Sequence, residues 1–431
     1  MLRRCWLCHP AGDFRQWGDG VMRRVAVTGM AGITALGHDW PTIKAEMAQG
    51  RTGIRDMRPQ WDRFESVNTR LAAPVLDFAT PAHWPRKKAR TMGRVATMAV
   101  AASERALDHA GLLGAPVLTS GRAGAAYGSS FGSPDSVLGF FELKMSGVSR
   151  HLNATTYIQM MSHSALVNIG LFFGLTGRMI PSSSACTSGS QAIGYAAEAI
   201  RWGKAEVMIA GGAEELDITD AAVFDTLFAT SMRNDTPEAT PRPFDRDRDG
   251  LVIGEGAGTL ILEEWEHARA RGAEIYAEVV GFGTNSDGNH VTQPQASTME
   301  QALRMALDDA GLNPADIGFV SGHGTATEWG DIAESQATAA LFGDSVPVHS
   351  LKSYFGHSLG ACGGIEAWLG IEMMRDGWFC PIANLDNVDP RCAALDYVRG
   401  QPRLTKPRYL MSNNFAFGGI NTSLILAAST P

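Results

Sequence analysis

From Met179 to Tyr195 the chain reads Met-Ile-Pro-Ser-Ser-Ser-Ala-Cys-Thr-Ser-Gly-Ser-Gln-Ala-Ile-Gly-Tyr, with a single thiol at Cys186. A short apolar run ends at Pro181, small residues turn the chain, and a helical pattern runs to Trp202, where Gly203 is placed to cap it. Cys186 is therefore expected where a strand gives way to a helix. The unpaired N–H groups and positive dipole end of a helix start favour thiolate, the nucleophilic form of cysteine. The alternative for the same residue is a buried structural thiol.

Three later stretches bear on that choice. Ser321-Gly-His-Gly-Thr-Ala-Thr places His323 at the end of an apolar strand, followed by Thr325 and Thr327. Ser350-Leu-Lys-Ser-Tyr-Phe-Gly-His-Ser-Leu-Gly-Ala-Cys-Gly-Gly-Ile-Glu sets Lys352, His357 and Glu366 in a small-residue segment, and Asn413-Asn-Phe-Ala-Phe-Gly-Gly-Ile-Asn makes a glycine-rich turn carrying Phe415 and Phe417. Either histidine alone reads equally as a satisfied core residue. Two of them, each embedded among Gly, Ser and Thr at strand ends, alongside a nucleophile-like cysteine, are harder to set aside as core residues.

The elements that must position these groups alternate in type. A buried strand from Arg24 runs into a glycine-rich turn, where a nucleotide loop is tempting, but neither the full dinucleotide spacing nor a phosphate-loop Lys-Ser/Thr is present. A helix is expected near Trp40–Gln49 and another over Arg94–Ala110, then a strand at Ala123–Tyr127. Glu206–Ala210 is an apolar strand ending in Gly211-Gly212, and Ile275–Phe282 opens a second cycle whose helix covers Thr298–Ala310. The first and second cycles share Leu107-Asp-His-Ala-Gly-Leu and Leu307-Asp-Asp-Ala-Gly-Leu. This internal echo points to a duplicated α/β fold with its boundary near residue 270: 22–270 holding the nucleophile, 271–431 holding both histidines.

Composition limits the function classes. Of 431 residues, 45% are hydrophobic, 19% charged and 48 are glycine, which suits a compact α/β protein with tight turns. A net charge of −8 argues against general nucleic-acid binding, no apolar run reaches a membrane span, and six scattered cysteines imply no disulfide framework, so a reducing cytoplasm is expected. Cys5, Cys8 and His9 begin a metal-ligand spacing without a second pair, so no metal site is expected there. Residues 1–21 read as a loosely held tail or a mispredicted start ahead of Met22.

From Arg23 to Leu426, in order and at compatible spacing, these motifs resemble the elongating β-ketoacyl-acyl carrier protein synthases among the thiolase-fold condensing enzymes. The resemblance implies a duplicated five-layered αβαβα fold and a Cys-His-His set of Cys186, His323 and His357. It implies that an acyl chain rides on Cys186, with the backbone N–H groups of Cys186 and Phe417 as oxyanion donors, while both histidines hold the enolate of a decarboxylated malonyl unit. Lys352 and Glu366 are implied as an electrostatic pair, Thr325 and Thr327 as contacts to pantetheine, and Phe417 as an aromatic gate. Phe131, Phe224, Phe228 and Phe417 are expected around the acyl cavity. Serine, glycine and asparagine details around these motifs look similar to the aryl-polyene pathway synthases.

No cofactor is implied, since substrates would arrive on the phosphopantetheine arm of an acyl carrier protein. The basic residues Arg86, Lys87, Lys88, Arg90 and Arg94, with Arg233, match the family's docking positions for that acidic partner. A homodimer is implied, or a heterodimer with a homologous subunit. Two other readings are a non-catalytic chain-length-factor-like partner, which would not need all three site residues, and a thiolase acting on coenzyme A thioesters, which would need a second catalytic cysteine such as Cys362 or Cys380.

Overall fold

The computed structural model describes residues 22–429; the Met1–Val21 segment, with Cys5, Cys8 and His9, lies outside the described residues. Strands β1 (Val25–Ile33), β2 (Ala123–Gly128), β3 (Met179–Ser182), β4 (Val207–Glu214) and β5 (Gly256–Glu264) pair in the order β1-β5-β4-β2-β3. Strands β6 (Ala277–Ser286), β7 (Phe319–Ser321), β8 (Pro347–His349), β9 (Asp396–Tyr397), β10 (Tyr409–Phe415) and β11 (Ile420–Ala428) pair in the order β6-β11-β10-β7-β8-β9. Leaving out edge strand β9, the orders match, and each begins with two antiparallel pairs followed by two parallel ones. The half-sheets meet at β1 and β6, where Ala26 faces Glu278 and Val27 faces Ala277. This is the duplicated α/β layering expected of a thiolase-like fold.

Five helices frame the sheet and the site: α1 (Arg94–His109), α2 (Ser188–Arg201), α3 (Ala296–Ala310), α4 (Glu328–Phe342) and α5 (Cys362–Asp376). Helices α1 and α3, which end in the echoed Asp-x-Ala-Gly-Leu, pack on β1 and β6 respectively. Each is followed by a left-handed glycine, Gly111 at φ 65° and Gly311 at φ 67°, and by a matching bond from Leu112 to Leu107 and from Leu312 to Leu307. A repeated sequence thus makes a repeated cap. No helix among the described residues is long and apolar enough to cross a membrane.

Helices α2 and α5 form the buried middle layer. Their crossing explains the small-residue runs: a Cβ on Gly189 would lie 2.8 Å from the Gly360 carbonyl oxygen, and one on Gly212 would lie 2.1 Å from it. The starts of the two helices are thereby held together. Each is preceded by a short 3₁₀ turn, Ala185–Thr187 and Leu359–Ala361, whose first residue is left-handed without being glycine, at φ 51° for Ala185 and 44° for Leu359. Such strain persists where the surrounding packing dictates it.

Two local expectations change. The glycine-rich stretch after Arg24 is continuous buried strand, and Gly32 is needed because Trp368 lies 2.2 Å from where its Cβ would be. The apolar strand expected at Glu206–Ala210 continues through both glycines to Glu214, since α5 packs against it there.

Candidate active site

The paired helix starts bring the three separated motifs to one point. Cys186, in the turn before α2, is 4% exposed and its Sγ lies 3.0 Å from Nε2 of His357, which sits just ahead of the turn before α5. His323 follows β7, and its ring stands perpendicular to that of His357 with centroids 5.1 Å apart. The sulfur and one nitrogen from each ring lie within 4.8 Å of one another.

The proton positions on the rings follow from their outer neighbours. The Leu359 backbone N–H donates to Nδ1 of His357 at 3.3 Å, so a neutral ring carries its hydrogen on Nε2, facing the sulfur. For His323, Nδ1 faces the Asn414 side-chain amide at 3.3 Å, and that amide is anchored on Glu366 at 2.7 Å. Both imidazoles therefore turn N–H groups to the cavity. A Cys-His-His trio could supply zinc donors only through ring lone pairs, and here those are engaged on the outer side. The site is built for an anion.

Lys352 strengthens that bias. Its side chain is 1% exposed and its Nζ lies 2.5 Å from Glu366 Oε1. Burial pushes both histidines well below the ordinary imidazole range, and the Lys352 charge pushes them further, keeping them neutral. Neutral rings with N–H facing inward are hydrogen-bond donors across the physiological range.

The expected thiolate shift of Cys186 is not present in the resting site. Burial pushes the thiol up to about 11, outweighing Lys352 and the backbone N–H groups of Phe417 and Cys186, which point at the sulfur. The helix-start argument omitted the cost of desolvation. Alkylation of Cys186 by iodoacetamide should accordingly rise about tenfold per pH unit from pH 7 to 9, following the thiolate fraction. A rate already level at pH 7 would restore the thiolate expectation.

A cavity of about 590 Å³ leads to these groups, lined by Phe224, Phe228, Thr325, Thr327, Phe415 and Phe417 among others. Thr325 and Thr327 share a hydroxyl hydrogen bond of 2.8 Å, and the Phe224 and Phe417 rings pack 5.0 Å apart beside Cys186. Phe131 is the exception among the expected aromatics: it is 43% exposed and does not line this cavity. Cys362 does not line it either, because its thiol donates to the Cys186 carbonyl at 3.3 Å. Cys380 is wholly buried against His349.

Residues not singled out from the sequence hold the site in shape. Glu334 of α4 accepts the backbone N–H groups of His323 and Gly324 at 2.6 and 2.7 Å. Asp331, one turn earlier, accepts those of Phe244 and Ala326 at 2.6 and 3.1 Å, and both of these residues are left-handed. The signal was available: two acids three apart, Asp331-Ile-Ala-Glu334, on a helix face otherwise apolar enough to be buried.

The basic docking set is partly withdrawn. Arg94 is bound to Glu255 at 2.8 Å and to the Val75 carbonyl at 2.7 Å, so it serves the interior. Lys88 donates to the Phe172 carbonyl at 2.5 Å, and Arg233 to that of Asp247 at 2.7 Å with Asp249 nearby. Arg86, Lys87 and Arg90 are exposed, and so is Lys88 despite its bond to that carbonyl. Sequence supplied the charges; their intramolecular partners come from segments far away in the chain.

Residues 22–268 match the family described as Beta-ketoacyl synthase, N-terminal domain, and residues 276–386 its C-terminal domain. The chain is 38% identical over 416 residues to 3-oxoacyl-[acyl-carrier-protein] synthase 2 of Vibrio harveyi, covering 94% of this chain and 98% of that protein. A beta-ketoacyl synthase from Burkholderia phymatum superposes with a TM-score of 0.94 at 58% identity, covering 95% of this chain and 100% of that one. The ketosynthase ApeO in complex with its chain length factor ApeC from Xenorhabdus doucetiae gives 0.80 at 26% identity, covering 96% and 100%.

Proposed function

This chain belongs to the beta-ketoacyl synthase family, a family of condensing enzymes, and from that premise we propose how its own residues divide the work of a 3-oxoacyl-[acyl-carrier-protein] synthase. Cys186 attacks an acyl thioester on a carrier and takes the acyl group, releasing the carrier's thiol. The oxyanion of that step meets the N–H groups of Cys186 and Phe417, which already point at the sulfur. Malonyl thioester then enters along Thr325 and Thr327 and loses carbon dioxide. The electron pair left behind becomes an enolate whose oxygen accepts from Nε2–H of His323 and His357. Its carbon attacks the acyl carbonyl, the bond to Cys186 breaks, and a β-ketoacyl chain two carbons longer leaves on the carrier.

The observation that carries this reading is the orientation of the two imidazoles, with outer nitrogens engaged and inner N–H groups beside a nucleophile. Lys352 and Glu366 act through the rings and the Asn414 amide as a positioning pair. Phe417, its ring tilted against that of Phe224, gates the acyl side. The reading places the boundary of the two halves near 270, with the nucleophile in the first and both histidines in the second.

The test is direct. The protein is incubated with malonyl-carrier protein and saturated, polyene or aryl acyl-carrier primers, and Cys186 adducts and products are read by intact mass. A two-carbon β-keto extension supports condensation, and the preferred primer separates fatty-acid from aryl-polyene supply. If Cys186 takes no primer while a copurifying homologue does, the non-catalytic partner reading replaces it. For dimer formation, the outer edge of β3 offers a place, since among the described residues it pairs with β2 alone; a second copy or a homologous subunit fits there.

Carrier docking rests on the cations left exposed. Reversing Lys87 to Glu, alone or with Arg86 and Arg90, should raise KM for carrier-bound malonate severalfold at low salt and leave kcat nearly unchanged. A KM unaffected by the reversal and by salt would remove the patch from docking.

A further inference from the structure

Cys362 is a second thiol beside the nucleophile. It opens α5, is 2% exposed, and follows His357 by little more than one 3₁₀ turn. An acid-base cysteine of the thiolase kind would face the substrate, and this one faces away. Its Sγ donates to the backbone carbonyl of Cys186 at 3.3 Å.

That carbonyl fixes the peptide plane after Cys186 and so one of the two soft backbone angles of the nucleophile. The turn needs such holding, because Ala185 just before it is left-handed at φ 51°. Ser188 secures the start of the turn, its Oγ donating to the Ala185 carbonyl at 2.7 Å and accepting the Ser184 N–H at 2.9 Å. Among the described residues, Cys362 is the side chain that bonds the carbonyl of Cys186 itself.

The same sulfur meets the group that orients His323. Asn414 Nδ2 lies 3.6 Å from Cys362 Sγ, 2.7 Å from Glu366 Oε2 and 3.3 Å from His323 Nδ1. An amide nitrogen carries two hydrogens for these three acceptors. Glu366 takes one; the other lies between the ring nitrogen and the sulfur, the weaker acceptor, so His323 keeps its bond. There is little slack around the contact. A Cβ on Gly363 would stand 2.6 Å from the Ser190 backbone nitrogen and 2.8 Å from Asn414 Oδ1, so the first turn of α5 is pressed on α2 and on Asn414 at once.

We propose that Cys362 is a positioning residue for both steps of the reaction, tying the backbone of Cys186 to the Asn414 amide that orients His323. It touches no substrate. The role deepens the condensation reading and rests on it for the two steps served.

Cys362→Ala removes the sulfur, and Cys362→Ser returns a donor for the carbonyl without the sulfur's bulk. Four quantities are compared with the wild type: Cys186 acylation from acyl-carrier protein by intact mass, carbon dioxide release from malonyl-carrier protein, Cys186 alkylation by iodoacetamide at a fixed pH, and melting temperature. In Cys362→Ala, acylation and carbon dioxide release should each fall about three- to tenfold, the scale of one lost neutral hydrogen bond, with KM for malonyl-carrier protein unchanged. Alkylation should slow as well, because a displaced turn takes the sulfur of Cys186 off the backbone N–H groups of Cys186 and Phe417 that favour its thiolate. Cys362→Ser should recover acylation and alkylation while melting at the same temperature as Cys362→Ala. Wild-type rates in Cys362→Ala overturn the role, and equal losses in both variants overturn it in favour of a thiol that only fills space. A loss confined to one step overturns the tie between the two. If the wild type forms no β-keto product, yet alkylation slows in Cys362→Ala and recovers in Cys362→Ser, the condensation reading fails and the hold on Cys186 stands.

Discussion

Cys186→Ala should abolish chain extension, with a loss of roughly 10⁴- to 10⁶-fold as found when a covalent nucleophile is removed, while still releasing carbon dioxide from malonyl-carrier protein. The two halves of the chemistry draw on different groups. Acyl transfer needs the sulfur, whereas the enolate is held by His323 and His357, whose orientation is set from outside by Leu359 and Asn414 and does not depend on the thiol. An alanine methyl also leaves room where the acyl group would sit. His357→Ala should give the opposite pattern: the acyl group still appears on Cys186 by intact mass, and decarboxylation falls by about a hundred- to a thousandfold, or 2.7–4 kcal/mol, the loss expected for one oxyanion donor. If Cys186→Ala stops carbon dioxide release as well, the thiol takes part in both steps and the division is wrong.

That division also shows what the sequence could and could not reveal. The echo of Asp-x-Ala-Gly-Leu after α1 and α3 was enough to find the duplication, because a helix capped by a left-handed glycine has a strong local signature. The histidines stood out for a similar reason: each lies among Gly, Ser and Thr, where little else could occupy a core. Asp331 and Glu334 showed only their three-residue spacing on an apolar helix face, and Asn414 no mark of its own, since their partners are backbone groups and rings that only the tertiary fold brings near. The same limit undid two expectations. Local reasoning placed Cys186 correctly at a helix start and read the dipole, but desolvation by the crossing of α2 and α5 is a non-local effect and it dominates. Arg94 was legible as a charge, and only the fold supplies Glu255 to claim it.

The second large effect should come from Lys352 and Glu366, a pair that is about as buried as any in the molecule, at 1% and 3% side-chain exposure. Lys352→Ala strands a carboxylate in the core and should lower stability by about 3–5 kcal/mol, read as a reduced unfolding midpoint in urea. Lys352→Met with Glu366→Gln removes both charges at similar volume, and most of that stability should return, because a buried ion pair offsets little more than its own desolvation. The amide that Glu366→Gln introduces keeps a carbonyl oxygen to accept from the Asn414 side chain, so His323 keeps its orientation. Function should not return with the fold. Burial is the largest cause that holds both histidines neutral and Lys352 the next, with His357 adding to them at His323. Without the Lys352 charge the folded-state pKa of each ring rises, so protonation begins at higher pH, and the acid limb of malonyl decarboxylation should shift toward neutrality. A protonated ring brings a positive charge into the apolar site and couples each turnover to pH in a range where the wild type is indifferent. A double variant that regains both stability and the wild-type pH profile would show that the pair only fills space; a restored midpoint with a displaced acid limb would show that it tunes the rings.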